Sequence, residues 1–137
     1  MARNGSEVHV IDLTDITVLI VDDDEDALEV FTAALEQSGA YVLKAGTARD
    51  ALTIIMTIRV NAILSDLAMP GEDGLWLVQQ LRRLKHDKGG SIPAIAVTER
   101  RDRYNAERVI DLGFKAFLTK PVDPFNLART VASLVGR

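Results

Sequence analysis

The sequence predicts a doubly wound α/β domain built on a parallel sheet. Five short, nearly continuous apolar runs recur along the chain, and longer segments of helical spacing separate them. A run of four or five apolar residues bounded by polar residues or glycine reads as a strand buried on both faces, as parallel strands covered by helices are. Strict alternation of such runs with helices selects βα units and right-handed crossovers. At 137 residues and 47% hydrophobic, the chain fits one domain that buries roughly two-thirds of its unfolded surface.

The expected strands are Thr17–Val21, Tyr41–Ala45, Ala62–Ser65, Ala94–Val97 and Ala116–Thr119. Between the first two, Leu28, Phe31 and Leu35 recur at helical spacing, with Gly39 as the stop. Thr47 and Asp50 form a capping-box-like start for a second helix carrying Ala51, Ile55 and Ile58. Leu77, Leu81 and Leu84 line a third helix after Gly74, ended by Lys88–Gly90. A polar fourth helix is expected over Asp102–Leu112, with Ala106, Val109 and Ile110 as its apolar residues. The fifth opens with Asp123 as N-cap and Pro124 at the first helical position, then buries Leu127, Val131 and Leu134. Residues 1–16 read as a tail or linker, with "VHVIDL" (Val8–Leu13) as a candidate edge strand, and residues 17–137 as the domain.

Composition narrows the function classes. Charged residues at 26% exclude a mostly disordered chain. No apolar run approaches the ~20 residues that cross a bilayer, and the polar start lacks a signal-peptide core. The absence of cysteine removes disulfides, thiolate chemistry and cysteine metal sites, and suits a cytoplasmic location. A net charge of −4 argues against binding a phosphate backbone.

In doubly wound folds ligands sit beyond the carboxyl ends of the strands. Those ends carry Asp22 and Asp23 after strand 1, Asp66 after strand 3, Thr98 after strand 4 and Lys120 after strand 5. Three carboxylates alone push one another's pKa values upward, and a divalent ion removes the conflict. An oxygen-only set suits Mg²⁺, or Mn²⁺ in vitro. One carboxylate is then available as a nucleophile toward phosphorus, with Lys120 as a point charge and Thr98 as a hydrogen-bond donor for phosphoryl oxygens. The rest of the acidic run, Asp24, Glu25 and Asp26, falls in the first turn of helix 1, where each acid is worth about 0.3–1 kcal/mol against the helix dipole.

These residues stand in "VDD" after strand 1, "SDLAMPGEDG" after strand 3, the threonine ending strand 4 and "KP" after strand 5. All four, in order and at this spacing, resemble the receiver domain of two-component response regulators over essentially all of residues 17–136. The resemblance implies a flavodoxin-like (βα)5 three-layer sandwich with strand order 2-1-3-4-5. It implies Asp66 as phosphoacceptor, Asp23 and the backbone carbonyl of Ala68 as direct metal ligands, and Asp22 acting mainly through a metal-bound water. Thr98 and Lys120 would sense the phosphoryl group, Phe117 would be the aromatic whose rotamer couples to Thr98, and Lys120–Pro121 is often cis. The expected partner is a histidine kinase or histidine phosphotransfer domain, with a weak homodimer through the helix 4–strand 5–helix 5 face. A phosphoacceptor that assists its own phosphotransfer, rather than an enzyme, is the implied function, with neither nucleic acid nor membrane bound directly.

Two positions depart from the family pattern. Where relatives carry a small residue after the strand-4 threonine, this chain has Glu99, followed by Arg100, Arg101 and Arg103. Ala68 is also small where many relatives carry a polar side chain. Glu99 lends weight to a competing reading, an interaction module that is not phosphorylated. A third reading, an Asp-nucleophile phosphohydrolase using Asp22 and Asp24 as Asp-x-Asp, is opposed by Asp26 and by the lack of a second acidic pair after strand 4. His9 and His86 read as surface residues and Trp76 as packing on helix 3. The wording "GEDG…GGSIPAIAVT" resembles receivers attached to hybrid sensor kinases.

Overall fold

Burial on both faces explains why the strand runs are so evenly apolar. A computed structural model describes residues 10–99 and 104–137. Its strands are β1 (Thr17–Val21), β2 (Tyr41–Ala45), β3 (Ala62–Asp66), β4 (Ala94–Thr98) and β5 (Ala116–Thr119). All pairings are parallel, and the sheet order is β2-β1-β3-β4-β5. The inner strands β1, β3 and β4 are buried almost throughout, whereas β2, at an edge, leaves Tyr41 and Lys44 exposed. Strands 3 and 4 each run one residue beyond their expected ends, so Asp66 and Thr98 are themselves ladder residues.

Five helices cover the two faces: α1 (Glu25–Glu36), α2 (Ala48–Thr57), α3 (Gly74–Arg83), α4 (Ala106–Asp111) and α5 (Pro124–Val135). Alternate strand residues feed two separate cores. Leu19, Val21, Ile63 and Ala96 pack with Ala51, Ile55, Leu77, Leu81 and Val109, which belong to α2, α3 and α4. Val18, Ile20, Leu64 and Val97 pack with Phe31, Leu35, Leu127 and Val131 of α1 and α5. This period-two division places residues 94, 96 and 98 of β4 toward one face and 95 and 97 toward the other.

Caps set most helix starts. The side chains of Asp24, Thr47, Asp73, Asn105 and Asp123 each accept a backbone N–H from the first turn of the following helix. Asp24 is therefore the N-cap of α1 rather than a member of its first turn. The stop of α1 has the expected glycine, Gly39 at φ +94°, a region a side chain enters only with strain.

Three further helix boundaries differ from expectation. Ile58 ends α2 in an extended conformation and is 45% exposed, so it is not part of the helix's buried face. Leu84 turns extended and ends α3 ahead of Lys88–Gly90, which instead lie in and after a short 3-10 turn at His86–Lys88. The fourth helix starts at Ala106, because Asn105 takes the cap position; the expected start at Asp102 lies outside the described residues. Asn competes with the helix for its own backbone groups and so favours the cap over the interior.

The segment read as a tail or linker contributes Leu13 (0% exposed) and Ile16 (6%) to the α1/α5 core. Of the candidate edge strand, residues 10–13 are not in a strand, and Val8 and His9 lie outside the described residues. Among the described residues, no helix is long and apolar enough to cross a membrane.

Candidate functional site

Parallel strands deliver their carboxyl ends to one rim, and the chain places its acids there. Asp22 follows β1 and its backbone N–H donates to the Ala45 carbonyl at 3.1 Å, which keeps it in line with the sheet. The residue is buried, at 1% exposure. Asp22 Oδ1 accepts the Asp24 N–H at 2.9 Å, and Oδ2 accepts from Lys120 Nζ at 2.8 Å. Lys120 Nζ also donates to Asp66 Oδ2 at 3.3 Å. Asp66 Oδ1 accepts the Ala68 N–H at 3.1 Å. Asp23 is exposed, beside the other two.

Thr98 is fully buried at the end of β4, and its carbonyl accepts the Lys120 N–H at 3.0 Å, so the two residues are tied through the backbone. Phe117 pairs in register with Ala96, is half-buried, and packs against the α2/α3/α4 core, the face toward which Thr98 alternates. The Lys120–Pro121 bond is cis. Glu99 is exposed; Arg100, Arg101 and Arg103 lie outside the described residues. His86 is exposed at the far side of the fold, and Trp76 is half-buried on α3 with the Arg49 guanidinium 5.2 Å above its ring.

The electrostatics follow from this packing. Burial pushes the Asp66 carboxyl above the usual range; the Lys120 charge and the Ala68 N–H pull it back, and the Asp22 charge adds to the rise. Burial alone lowers an amine's pKa, but for Lys120 the hydrogen bond and charge of Asp22, with the charge of Asp66, more than reverse that, and its pKa is raised. Lys120 is therefore a fixed cation. Three carboxylates against one ammonium leave a formal charge of −2, the complement of one divalent ion.

The donor set fits such an ion. One carboxylate oxygen from each of Asp22, Asp23 and Asp66 lies within 4.8 Å of the others. An all-oxygen set of this kind suits a small hard cation that shares its shell with water and phosphate.

The model of the response regulator receiver domain matches residues 18–132. The chain belongs to this family. The receiver is similar to the protein PilH of Pseudomonas aeruginosa, 32% identical over 118 residues, or 86% of this chain and 96% of that one. It is 38% identical over 119 residues to an uncharacterised 14.6 kDa protein of Leptolyngbya boryana, covering 87% of this chain and 89% of that one. Among solved structures, it resembles the receiver domain of the sensor histidine kinase PA1611 from Pseudomonas aeruginosa, which has a magnesium ion coordinated in its active-site cleft. There the TM-score is 0.80 at 25% identity, covering 89% of this chain and 98% of that one. The receiver spans only about half the length of several transcriptional regulators that it also matches.

Two residues near the site went unread as functional in the sequence. Phe31 of α1 lies under Lys120, with Nζ 6.0 Å from the ring centroid, and so floors the cation from the α1 side. Gly74, read only as a helix start, opens α3 directly against β3. A Cβ there would run into the backbone carbonyl of Asp66, and the Gly74 N–H donates to the Leu67 carbonyl at 3.2 Å. Gly74→Ala is expected to displace the Asp66 backbone and lower stability by about 1–3 kcal/mol, as overpacking does. A reduced denaturant midpoint at unchanged m checks this; an unaltered midpoint contradicts it.

Proposed function

We propose that this receiver accepts a phosphoryl group onto Asp66 from the phosphohistidine of a histidine kinase or histidine phosphotransfer domain, in a Mg²⁺-dependent step. The observation that carries the reading is Lys120 Nζ bridging Asp22 and Asp66, residues 98 and 54 positions away in sequence, beside the exposed Asp23. Each oxygen of Asp22 and of Asp66 accepts one hydrogen bond, so contact length and access distinguish the two acids. Asp66 has the longer contact to Lys120 and the more accessible side chain, 11% against 2%. It is the acid best placed to act as nucleophile.

Asp22, Asp23 and Asp66, with the Ala68 backbone carbonyl, would hold the ion, which when bound neutralises the carboxylates and the incoming phosphoryl oxygens. A carboxylate oxygen of Asp66 attacks phosphorus as the P–N bond breaks. The electron pair returns to the imidazole, which leaves neutral with its remaining proton on the other ring nitrogen. Lys120 keeps Asp66 ionised against the cost of burial, then meets the new negative charge on the acyl phosphate. The Thr98 hydroxyl bonds a phosphoryl oxygen, and its inward turn frees the side on which Phe117 repacks. The outcome is a population shift of the α4–β5–α5 surface, driven by contacts available only while the phosphoryl group is present.

Incubation with acetyl phosphate and Mg²⁺, followed by intact mass, is expected to show one phosphoryl group per chain, and none when EDTA removes the metal. Uptake that is indifferent to EDTA, or absent under both conditions, contradicts the proposal.

A further inference from the structure

Beside Lys120 a groove of about 350 Å³ runs between the start of α1 and the β5–α5 loop. Its apolar lining includes Val30, Phe31 and Val122, and its acids are Asp24, Asp26 and Glu99. The first two acids already have work: Asp24 caps α1 and Asp26 lies in that helix's first turn, where the N-terminal dipole offsets their charge. Glu99 differs. It follows directly on the last residue of β4, is exposed, and among the described residues makes no hydrogen bond or ion pair. It lines the same groove as Lys120, the cation of the site.

We propose that Glu99 is a specificity-determining residue that selects phosphodonors by charge, slowing small free anions relative to less charged donors. This inference rests on Asp66 being the phosphoacceptor. Acetyl phosphate approaches as a dianion at neutral pH; Asp66 attacks phosphorus, the bridging P–O bond breaks and acetate leaves with the electron pair. Phosphoramidate carries a net charge of −1; its P–N bond breaks and ammonia leaves with the pair, its nitrogen already bearing three protons. A unit charge about 10 Å from a dianion in water slows its arrival roughly fourfold, and a monoanion's roughly twofold. A protein donor that presents cations to the same acids escapes this penalty.

Phosphorylation rates of the full chain at saturating Mg²⁺ test the inference, with wild type, Glu99→Gln and Glu99→Lys each given both donors at low ionic strength and at ~1 M salt. Glu99→Gln keeps the side chain's shape and removes only its charge. It is expected to accelerate acetyl phosphate about fourfold and phosphoramidate about twofold at low salt, Glu99→Lys more, with all three proteins converging at high salt as screening shortens the Debye length to ~3 Å. Equal gains for the two donors, or gains that persist in high salt, overturn selection by charge. If wild type takes up phosphate and neither variant is faster, the inference fails while Asp66 keeps its role. If no protein takes up phosphate from either donor, both readings fall.

Discussion

Asp66→Asn is expected to take up no detectable phosphoryl group from acetyl phosphate and Mg²⁺, while the wild-type chain is expected to take up one. Asn preserves the shape and the Ala68 N–H contact at 3.1 Å but offers no anionic oxygen to attack phosphorus. Intact mass distinguishes the two proteins, and labelling of Asp66→Asn at the wild-type rate would falsify the assignment. The same substitution reports on the electrostatics through stability. Burial, above all, makes Asp66 harder to ionise in the fold than in the unfolded chain, despite Lys120. Its contribution is therefore most favourable below the ordinary Asp pKa of about 3.9 and is lost as pH rises through the raised folded value. In metal-free buffer Asp66→Asn is expected to be the more stable protein at pH 7, with the gap closing toward low pH. Mg²⁺ is expected to reverse the order, since a ligand at 100 times its dissociation constant adds about 2.7 kcal/mol to the protein that binds it. Thermal unfolding with EDTA and with Mg²⁺, across pH, reads both effects; a wild type that is the more stable in EDTA at pH 7 contradicts this account.

Arg82→Met carries the largest expected loss of stability. Arg82 Nε and Nη2 donate to the Gly113 carbonyl at 3.0 and 2.6 Å, and Nη1 donates to the carbonyls of Gly90 at 3.0 Å and Ile92 at 2.7 Å. One guanidinium thus ties the end of α3 to the chain entering β4 and to the turn entering β5. Burial pulls its pKa below the ordinary value, and among the described residues no carboxylate pairs with it. A hydrogen bond from a charged donor contributes about 1.5–3 kcal/mol, and partial exposure discounts the sum, so a loss of about 3 kcal/mol is expected. Arg82→Lys will restore little of it, because a single ammonium does not reproduce a planar fork aimed at three carbonyls. Urea unfolding checks the magnitude, and a loss under ~1 kcal/mol rejects it. Phosphoryl uptake should survive, since these carbonyls lie at the entry ends of the strands and Asp66 at the opposite rim.

The strands were legible because parallel strands between two helical layers are buried on both faces, so Val18–Val21 and Ala94–Val97 carry their signal locally. The caps at Thr47 and Asp123 were legible for the same reason, each being a contact within three residues. The start of α4 was not: the polar stretch before Ala106 offers no apolar period, and Asn105 serves a cap as readily as a helix interior. Leu13 reads in sequence as the end of a candidate edge strand in a tail, and only packing against the α1/α5 layer reveals it as core. Arg82 looked like an ordinary basic residue at a helix end, because its partners are carbonyls 8, 10 and 31 residues away.

The sequence by itself determined the alternation of elements, the sheet's parallel class and the residue types at each strand end, because these depend on hydrophobic periodicity and capping over a few residues. Only the tertiary structure decided that Lys120 bridges Asp22 and Asp66, that Asp22 is buried while Asp23 is exposed, and that Glu99 faces a groove beside them. Those relations arise where strands distant in sequence close side by side, and the strength of a charge there depends on burial and distance, which no local pattern encodes.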